Sequence, residues 1–264
     1  MEKIQIKDKE AIEKMEAAGK LTSEVLEMIE LYIFPGITTE KIDKICHDYI
    51  IYEQKAIPAC LGYKGFPKST CISINNTVCH GIPNSTKLQD GDIVNVDVSV
   101  IKNGYHGDAS KMFMVGSVNE RNKKLCEATK NSLYIALKLI KPGIKISILG
   151  SSIQNYIFKK KLSIVEEYCG HGIGRKFHEE PQILHYKNEH QKTILKPGMT
   201  FTIEPMINLG KKEVYCCSDG WTIKTKDQSY SAQYEHTVLV TNNGCNILTI
   251  QKEENINKIL INNK

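Results

Sequence analysis

Ile93-Val94-Asn95-Val96-Asp97-Val98-Ser99-Val100-Ile101 alternates with a period of two, so Val94, Val96, Val98 and Val100 share one face of a β-strand while Asn95, Asp97 and Ser99 share the other. Taken alone, this is an antiparallel strand with one wet face. Two further stretches repeat the arrangement. Phe201 and Ile203 alternate with Thr202 and Glu204, and between Gln233 and Val240 the residues Glu235 and Thr237 alternate with Tyr234, His236 and Val238. Three strands thus carry a carboxylate flanked by small hydroxyl or amide side chains, neighbours of the kind that orient metal-bound carboxylates through hydrogen bonds.

Comparing the chain with itself explains why Asp97 has a counterpart in Glu204. Pro35-Gly36-Ile37 recurs as Pro142-Gly143-Ile144, an offset of 142 − 35 = 107 residues. Tyr49-Ile50 recurs as Tyr156-Ile157, and Leu88-x-x-Gly91 before Asp97 recurs as Leu195-x-x-Gly198 before Glu204, all at the same offset. Matches in one order at one offset imply a structural unit used twice. Apolar periodicity predicts helices over 13–33 and 121–140 before each Pro-Gly-Ile, then second helices over 40–54 and 148–160, capped by Thr38 or Thr39 in one half and Ser147 in the other. Strands follow in both halves, and the class is α+β. Two such halves would join their sheets with helices outside, leaving a ligand cleft at the seam.

The remaining composition narrows the class of function. The chain has 264 residues, 41% hydrophobic and 25% charged, with no low-complexity tract, which excludes disordered, collagen-like and coiled-coil readings. Thirty-five Lys and Arg against thirty Asp and Glu leave a dispersed net charge of +5, too mild to indicate a specific nucleic-acid partner. Lys159-Lys160-Lys161 reads as the solvated end of a helix. Nine cysteines, an odd number without C-x-x-C spacing, point to reduced thiols in a cytoplasmic protein. A charged N-terminal stretch offers no signal-peptide core, and no segment approaches the ~20 apolar residues of a membrane span. The polar last dozen residues are expected to form a frayed helix.

Two more residues join the three carboxylates. Asp108 is predicted to be lifted by the glycine-bracketed turn Gly104-Tyr105-His106-Gly107-Asp108, and His171 lies in Gly170-His171-Gly172, where glycines would let the backbone approach a ligand. A lone histidine is ordinarily a satisfied or exposed residue. Four acids and an imidazole in one cleft would be untenable without cations, because clustered carboxylates repel one another away from water.

His80-Gly81-Ile82-Pro83, Asp97, His106-Gly107-Asp108, Gly170-His171-Gly172-Ile173-Gly174, Thr202-Ile203-Glu204-Pro205 and Gln233-Tyr234-Glu235-His236 follow in order. Together they resemble the signature of type I methionine aminopeptidases, over about residues 10 to 250. The resemblance implies the pita-bread (creatinase/aminopeptidase) fold: one catalytic domain over 1–264, with pseudo-twofold halves near 10–115 and 117–250 and an antiparallel sheet covered by helices. It implies that Asp97, Asp108, His171, Glu204 and Glu235 bind two divalent ions, with Asp108 and Glu235 bridging. This donor set suits Mn, Fe, Co or Zn. The ions would activate water. Glu204 would carry its proton, His178 would donate a hydrogen bond to the oxyanion, and His80 would contact the scissile amide nitrogen. His80 and His178 would thus bind substrate, beside an apolar methionine pocket walled by Cys60, Tyr63, Phe66, Cys71, Phe177 and Trp221. Relatives often have Tyr where this chain has Phe66. Ser73 to Thr77 together with Ser231 resembles a monovalent-cation site, centred on Asn75 and Ser231.

The implied substrate is the N-terminal methionine of nascent polypeptides with a small second residue, handled by a monomer with the ribosome as a candidate partner and no membrane. Two rivals share the fold. A proline-directed peptidase would carry an added N-terminal domain, and a non-catalytic binding protein would lack metal ligands.

Overall fold

In the computed structural model, which describes residues 3–255, helix α1 (Lys9–Ile29) starts where the Asp8 side chain accepts the Ala11 N–H at 2.8 Å. Helix α2 (Thr39–Asp48) starts where Thr38 Oγ1 accepts the Lys41 N–H at 3.2 Å. Both helices bury apolar side chains, among them Leu26, Ile29, Ile42 and Cys46, against Val94, Val96, Val98 and Val100 of the strand Ile93–Lys102. The four valines are 0% exposed, and burying each contributes roughly 1.5–3 kcal/mol. A slip of one residue would drive Asn95, Asp97 and Ser99 into that core, so the valines determine where the acid points.

The second half uses the same construction. Helix α3 (Glu120–Leu137) is capped by Asn119, which accepts the Asn122 N–H at 3.0 Å. With α4 (Ile146–Lys159) it packs Leu125, Leu133, Leu149 and Ile153 onto Phe201, Ile203 and Val238. Ser147 is not the cap of α4. The helix begins at Ile146, whose N–H is already taken by Thr193 O at 2.9 Å, and the position before it, Lys145, bridges to Ile194. A backbone contact has replaced the side-chain cap. The first-half helices also start and stop a few residues from their predicted bounds. After Ile29 the chain tightens into a 3-10 turn, Glu30–Tyr32, and after Asp48 it widens into a π-helical turn, Tyr49–Glu53. Lys159, Lys160 and Lys161 are exposed, as their run suggested, whereas the frayed helix expected at the end falls almost wholly outside the described residues.

All described pairings in the nine-stranded sheet are antiparallel. Its main path runs Ile57–Pro58, Ile93–Lys102, Tyr105–Met114, Glu235–Val240, Thr200–Ile203, Gly170–Gly172, Glu179–Ile183, so the two halves meet where Tyr105–Met114 pairs with Glu235–Val240. Thr70–Ile74 adds to Ile93–Lys102, and Cys245–Ile247 to Glu235–Val240. Backbone hydrogen bonds recur at the offset of the sequence repeat: Gly36 N–H to Leu88 O at 2.7 Å and Gly143 N–H to Leu195 O at 3.0 Å. Gly36 and Gly143 both have positive φ, +96° and +87°, where a side chain would strain the turn. This architecture is the pita-bread arrangement, a mixed α and β fold with an antiparallel sheet. No helix among the described residues is long and apolar enough to cross a membrane.

Two strand expectations change. Asp108 is not on a turn. Asn103 and Gly104 both take positive φ and close a two-residue hairpin turn, so the chain is already extended at Tyr105 and Asp108 sits opposite Ser99 in the ladder. The stretch Gln233 to Val240 is likewise not one strand. It breaks at Tyr234 into Ser231–Gln233, which pairs with Met206–Asn208, and Glu235–Val240, which pairs with Thr200–Ile203.

Gly107, beside Asp108, has no room for a side chain, because a Cβ there would stand 2.7 Å from the Ala18 carbonyl of α1. Gly107→Ala should therefore lower stability by about 1–3 kcal/mol, seen as a lower urea midpoint at constant slope. An unshifted midpoint would mean that α1 is free to move off the sheet.

Candidate metal centre and substrate pocket

The face of Ile93–Lys102 opposite the valines looks into the molecule, with Asp97 partly exposed. Asn95 and Ser99 are buried, with Asn95 Nδ2 donating to Gln233 O at 2.9 Å. Ser99 Oγ donates to Asp108 Oδ1 at 2.6 Å, and Thr237 Oγ1 grips the Asp108 backbone, accepting its N–H at 3.1 Å and donating to its carbonyl at 2.7 Å. The small polar neighbours read along the strands thus orient one another's acids.

His171 stands on the short strand Gly170–Gly172. Its Nδ1 donates to Gly172 O at 2.9 Å, which leaves Nε2 facing Asp108 Oδ2 at 3.5 Å and Glu204 Oε1 at 3.7 Å. The flanking glycines serve the sheet rather than a ligand. A Cβ on Gly170 would lie 2.4 Å from Thr202 O, and one on Gly172 would lie 2.2 Å from Glu180 O. Glu204 receives Thr202 Oγ1 on Oε1 at 2.8 Å and Gln233 Nε2 on Oε2 at 3.3 Å. Single ligand atoms of Asp108, His171 and Glu235 lie within 4.8 Å of one another, near enough to share one ion.

Electrostatics show what this crowding costs. Burial, then the charge of Asp108, pushes the Asp97 carboxyl well above the usual range, and the same two causes act in the same order on Glu235. Burial pushes Glu204 up to about 7, opposed by His171 and assisted by Asp108. Burial pulls His171 down, yet the hydrogen bond to Asp108 and the charge of Glu204 outweigh it and its pKa rises. Asp97 Oδ1 and Glu235 Oε1 are buried without a hydrogen-bond partner among the described residues. Oxygen donors left unpaired beside an imidazole are what a divalent cation of intermediate hardness would satisfy.

Asp97, Asp108, His171, Glu204 and Glu235 line one cavity of about 280 Å³ together with Cys60, Tyr63, Phe66, Cys71, Phe177, Trp221, His80 and His178. The structure thus brings together every residue singled out as ligand, proton carrier or wall. Tyr63 and Phe177 meet at 4.9 Å between ring centroids, and Phe66 presents its ring edgewise to Trp221 at 5.1 Å. His178 lies 4.1 Å from the His171 ring, and desolvation beside the cavity, then His171, lowers its pKa, so it is neutral at pH 7. His80, lowered by burial, sits at φ +54°, a conformation side chains rarely adopt and one that tends to persist at functional sites.

Sequence reading missed Lys64, Glu167, Tyr168, Cys169 and Met206, which also line the cavity. It also missed His185, whose Nε2 accepts the Glu204 N–H at 3.1 Å from outside it. Inside the apolar run Ile183-Leu184-His185, nothing distinguishes that histidine from a core residue.

Residues 13–242 match metallopeptidase family M24. The chain is 59% identical to the methionine aminopeptidase of Escherichia coli (strain K12) over 258 residues, 97% of this chain and 98% of that protein. The methionine aminopeptidase from Rickettsia prowazekii superposes with a TM-score of 0.92 at 46% identity, over 94% of this chain and 100% of that one. The prolidase from Pyrococcus furiosus superposes less closely, with a TM-score of 0.73 at 26% identity, and the match spans 94% of this chain but 66% of the prolidase.

Because Asp97, Glu204 and Glu235 are held above the ordinary carboxylate range, a cation must displace protons from them, and protons win at low pH. Affinity for Mn²⁺ should therefore rise with pH between about 6 and 8, with proton release visible by calorimetry in buffers of different ionisation enthalpy. Affinity that stays flat over that range would contradict the cluster as the binding site.

Proposed function

The chain belongs to metallopeptidase family M24, among the type I methionine aminopeptidases, and from that membership we propose that its cavity hydrolytically removes the N-terminal methionine from nascent polypeptides whose second residue is small. The observation that carries the reading is the juxtaposition of four acids, three of them buried, and an imidazole with an apolar wall in one cavity.

Asp97, Asp108, His171, Glu204 and Glu235 would hold a pair of divalent ions. Such ions supply Lewis acidity and bring the ionisation of water toward neutral pH. Mn, Fe, Co or Zn all suit a set of one imidazole among carboxylates. The protein's own groups do the rest. Glu204 can take a proton from water and return it to the departing amine. Neutral His178 donates a hydrogen bond to the carbonyl oxygen as charge develops there. His80, whose ring stands edgewise to Tyr168 and Trp221, meets the scissile amide nitrogen.

The methionine side chain enters between Cys60, Cys71 and the rings of Tyr63, Phe66, Phe177 and Trp221, where polarisable thiols and aromatic edges suit a thioether. Phe66 lacks a hydroxyl and contributes only apolar surface, being 3% exposed. A monovalent cation is proposed near Asn75 and Ser231, where the Asn75 carbonyl accepts the Ser231 N–H at 2.8 Å. We further propose that 1–264 acts as a single catalytic domain whose halves, about 10–115 and 117–250, are copies of one unit. We also propose a monomer that acts on chains emerging from the ribosome; its place in the cytoplasm accords with nine free thiols.

The test is to strip metal with a chelator, restore Mn²⁺ or Co²⁺, and follow Met-Ala-Ser, Met-Trp-Ser and Xaa-Pro peptides. Methionine should be released from Met-Ala-Ser alone, and only with metal. Cleavage confined to Xaa-Pro peptides, or none with any metal, would contradict the proposal.

A further inference from the structure

The strand Thr200–Ile203 ends one residue before Glu204, and Pro205 follows without an N–H. Its neighbour Gly170–Gly172 pairs with it only at Gly172 opposite Phe201 and stops at Gly170. Glu204 therefore sits past the end of the ladder on that side. The next strand, Glu179–Ile183, pairs with Gly170 through Ile183, and two residues later its chain delivers His185. An imidazole nitrogen thus takes the place that a carbonyl would occupy in a longer strand, accepting the Glu204 N–H at 3.1 Å. His185 is 1% exposed.

Glu204 is consequently anchored at three points. Thr202 and Gln233 hold its two carboxylate oxygens, while His185 holds the main chain that carries them. Asp97, at the corresponding place in the first half, needs no such partner, because the ladder continues on both sides of it, opposite Cys71 and Ser110.

We infer that His185 is a positioning residue for Glu204: its Nε2 fixes the backbone at the step from Ile203 to Pro205 and thereby aims the carboxylate. His185 does not line the cavity, so it acts through Glu204 and not on substrate. Removing the acceptor leaves a buried N–H unpaired. The backbone would relax to satisfy it, and a displacement of about 1 Å in a reacting group can cost on the order of 10²-fold in rate.

The inference rests on the aminopeptidase reading, and the experiment separates the two. The metal-loaded full chain and its His185→Phe, His185→Gln and His185→Asn variants are compared on Met-Ala-Ser for kcat, KM, bound metal and melting temperature. His185→Phe should lower kcat by about 10- to 100-fold while KM and metal content hold. His185→Gln can place an oxygen where Nε2 was and should keep kcat within about fivefold of the parent, whereas Asn, shorter by one bond, should follow Phe. A folded Phe variant with parental kcat, or Gln as impaired as Phe, would overturn the inference. Should the Phe variant fail to fold, Gln and Asn decide, and equal rates for the two would overturn it. A parent chain inert toward the peptide would instead overturn the aminopeptidase reading beneath it.

Discussion

Four acids held out of water around one imidazole are the constraint that the rest of the molecule serves. Desolvating an ionised carboxylate costs several kcal/mol even after relaxation. Asp97, Glu204 and Glu235 register that cost as raised pKa values, each with burial as the largest cause. No packing benefit explains keeping such a group, since apolar residues of similar size would stabilise the core more. What sustains it is the opposite side of the same strands. Val94, Val96, Val98 and Val100 in one half and Phe201, Ile203 and Val238 in the other are buried against helices, and strand alternation then sends the polar partners into the cavity.

The seam between the halves turns those directions into a site. Tyr105–Met114 and Glu235–Val240 lie side by side at the centre of the sheet, so Asp108 and Glu235 reach one place from stretches more than a hundred residues apart in the chain. The adjoining strands bring Asp97 from one flank and Glu204 from the other. Asp97 lies within an unbroken ladder, whereas Glu204 stands at a break shared by the Ile203 to Met206 step and by Tyr234. At that break a side chain, His185, completes what the backbone leaves open.

Much of this was legible in the sequence because the period of a strand is rigid. Alternation alone put Asp97 on the face opposite the valines, and the constant offset tied it to Glu204. The errors share a cause, which is that long-range contacts overrule local signals. Ser147 looked like a cap, but the bond from Ile146 to Thr193 started the helix first. The glycines around Asp108 suggested a turn, yet Gly107 is there because α1 passes overhead, and the turn itself is Asn103-Gly104. Gly170 and Gly172 make room for neighbouring strands rather than for a ligand. Asn95 faces Gln233, far along the chain, a contact that strand alternation alone could not show. His185 gave no local signal at all, since its role depends on where a strand some twenty residues later comes to an end.

The central claim is that the acid and imidazole cluster holds divalent cations. Anomalous X-ray scattering at the manganese edge, from crystals of the parent chain and of Asp108→Ala soaked in Mn²⁺, tests it most directly. Peaks bounded by Asp97, Asp108, His171, Glu204 and Glu235 are expected in the parent, with their loss in the variant. Peaks elsewhere in the molecule, or peaks undiminished without the Asp108 carboxylate, would contradict it.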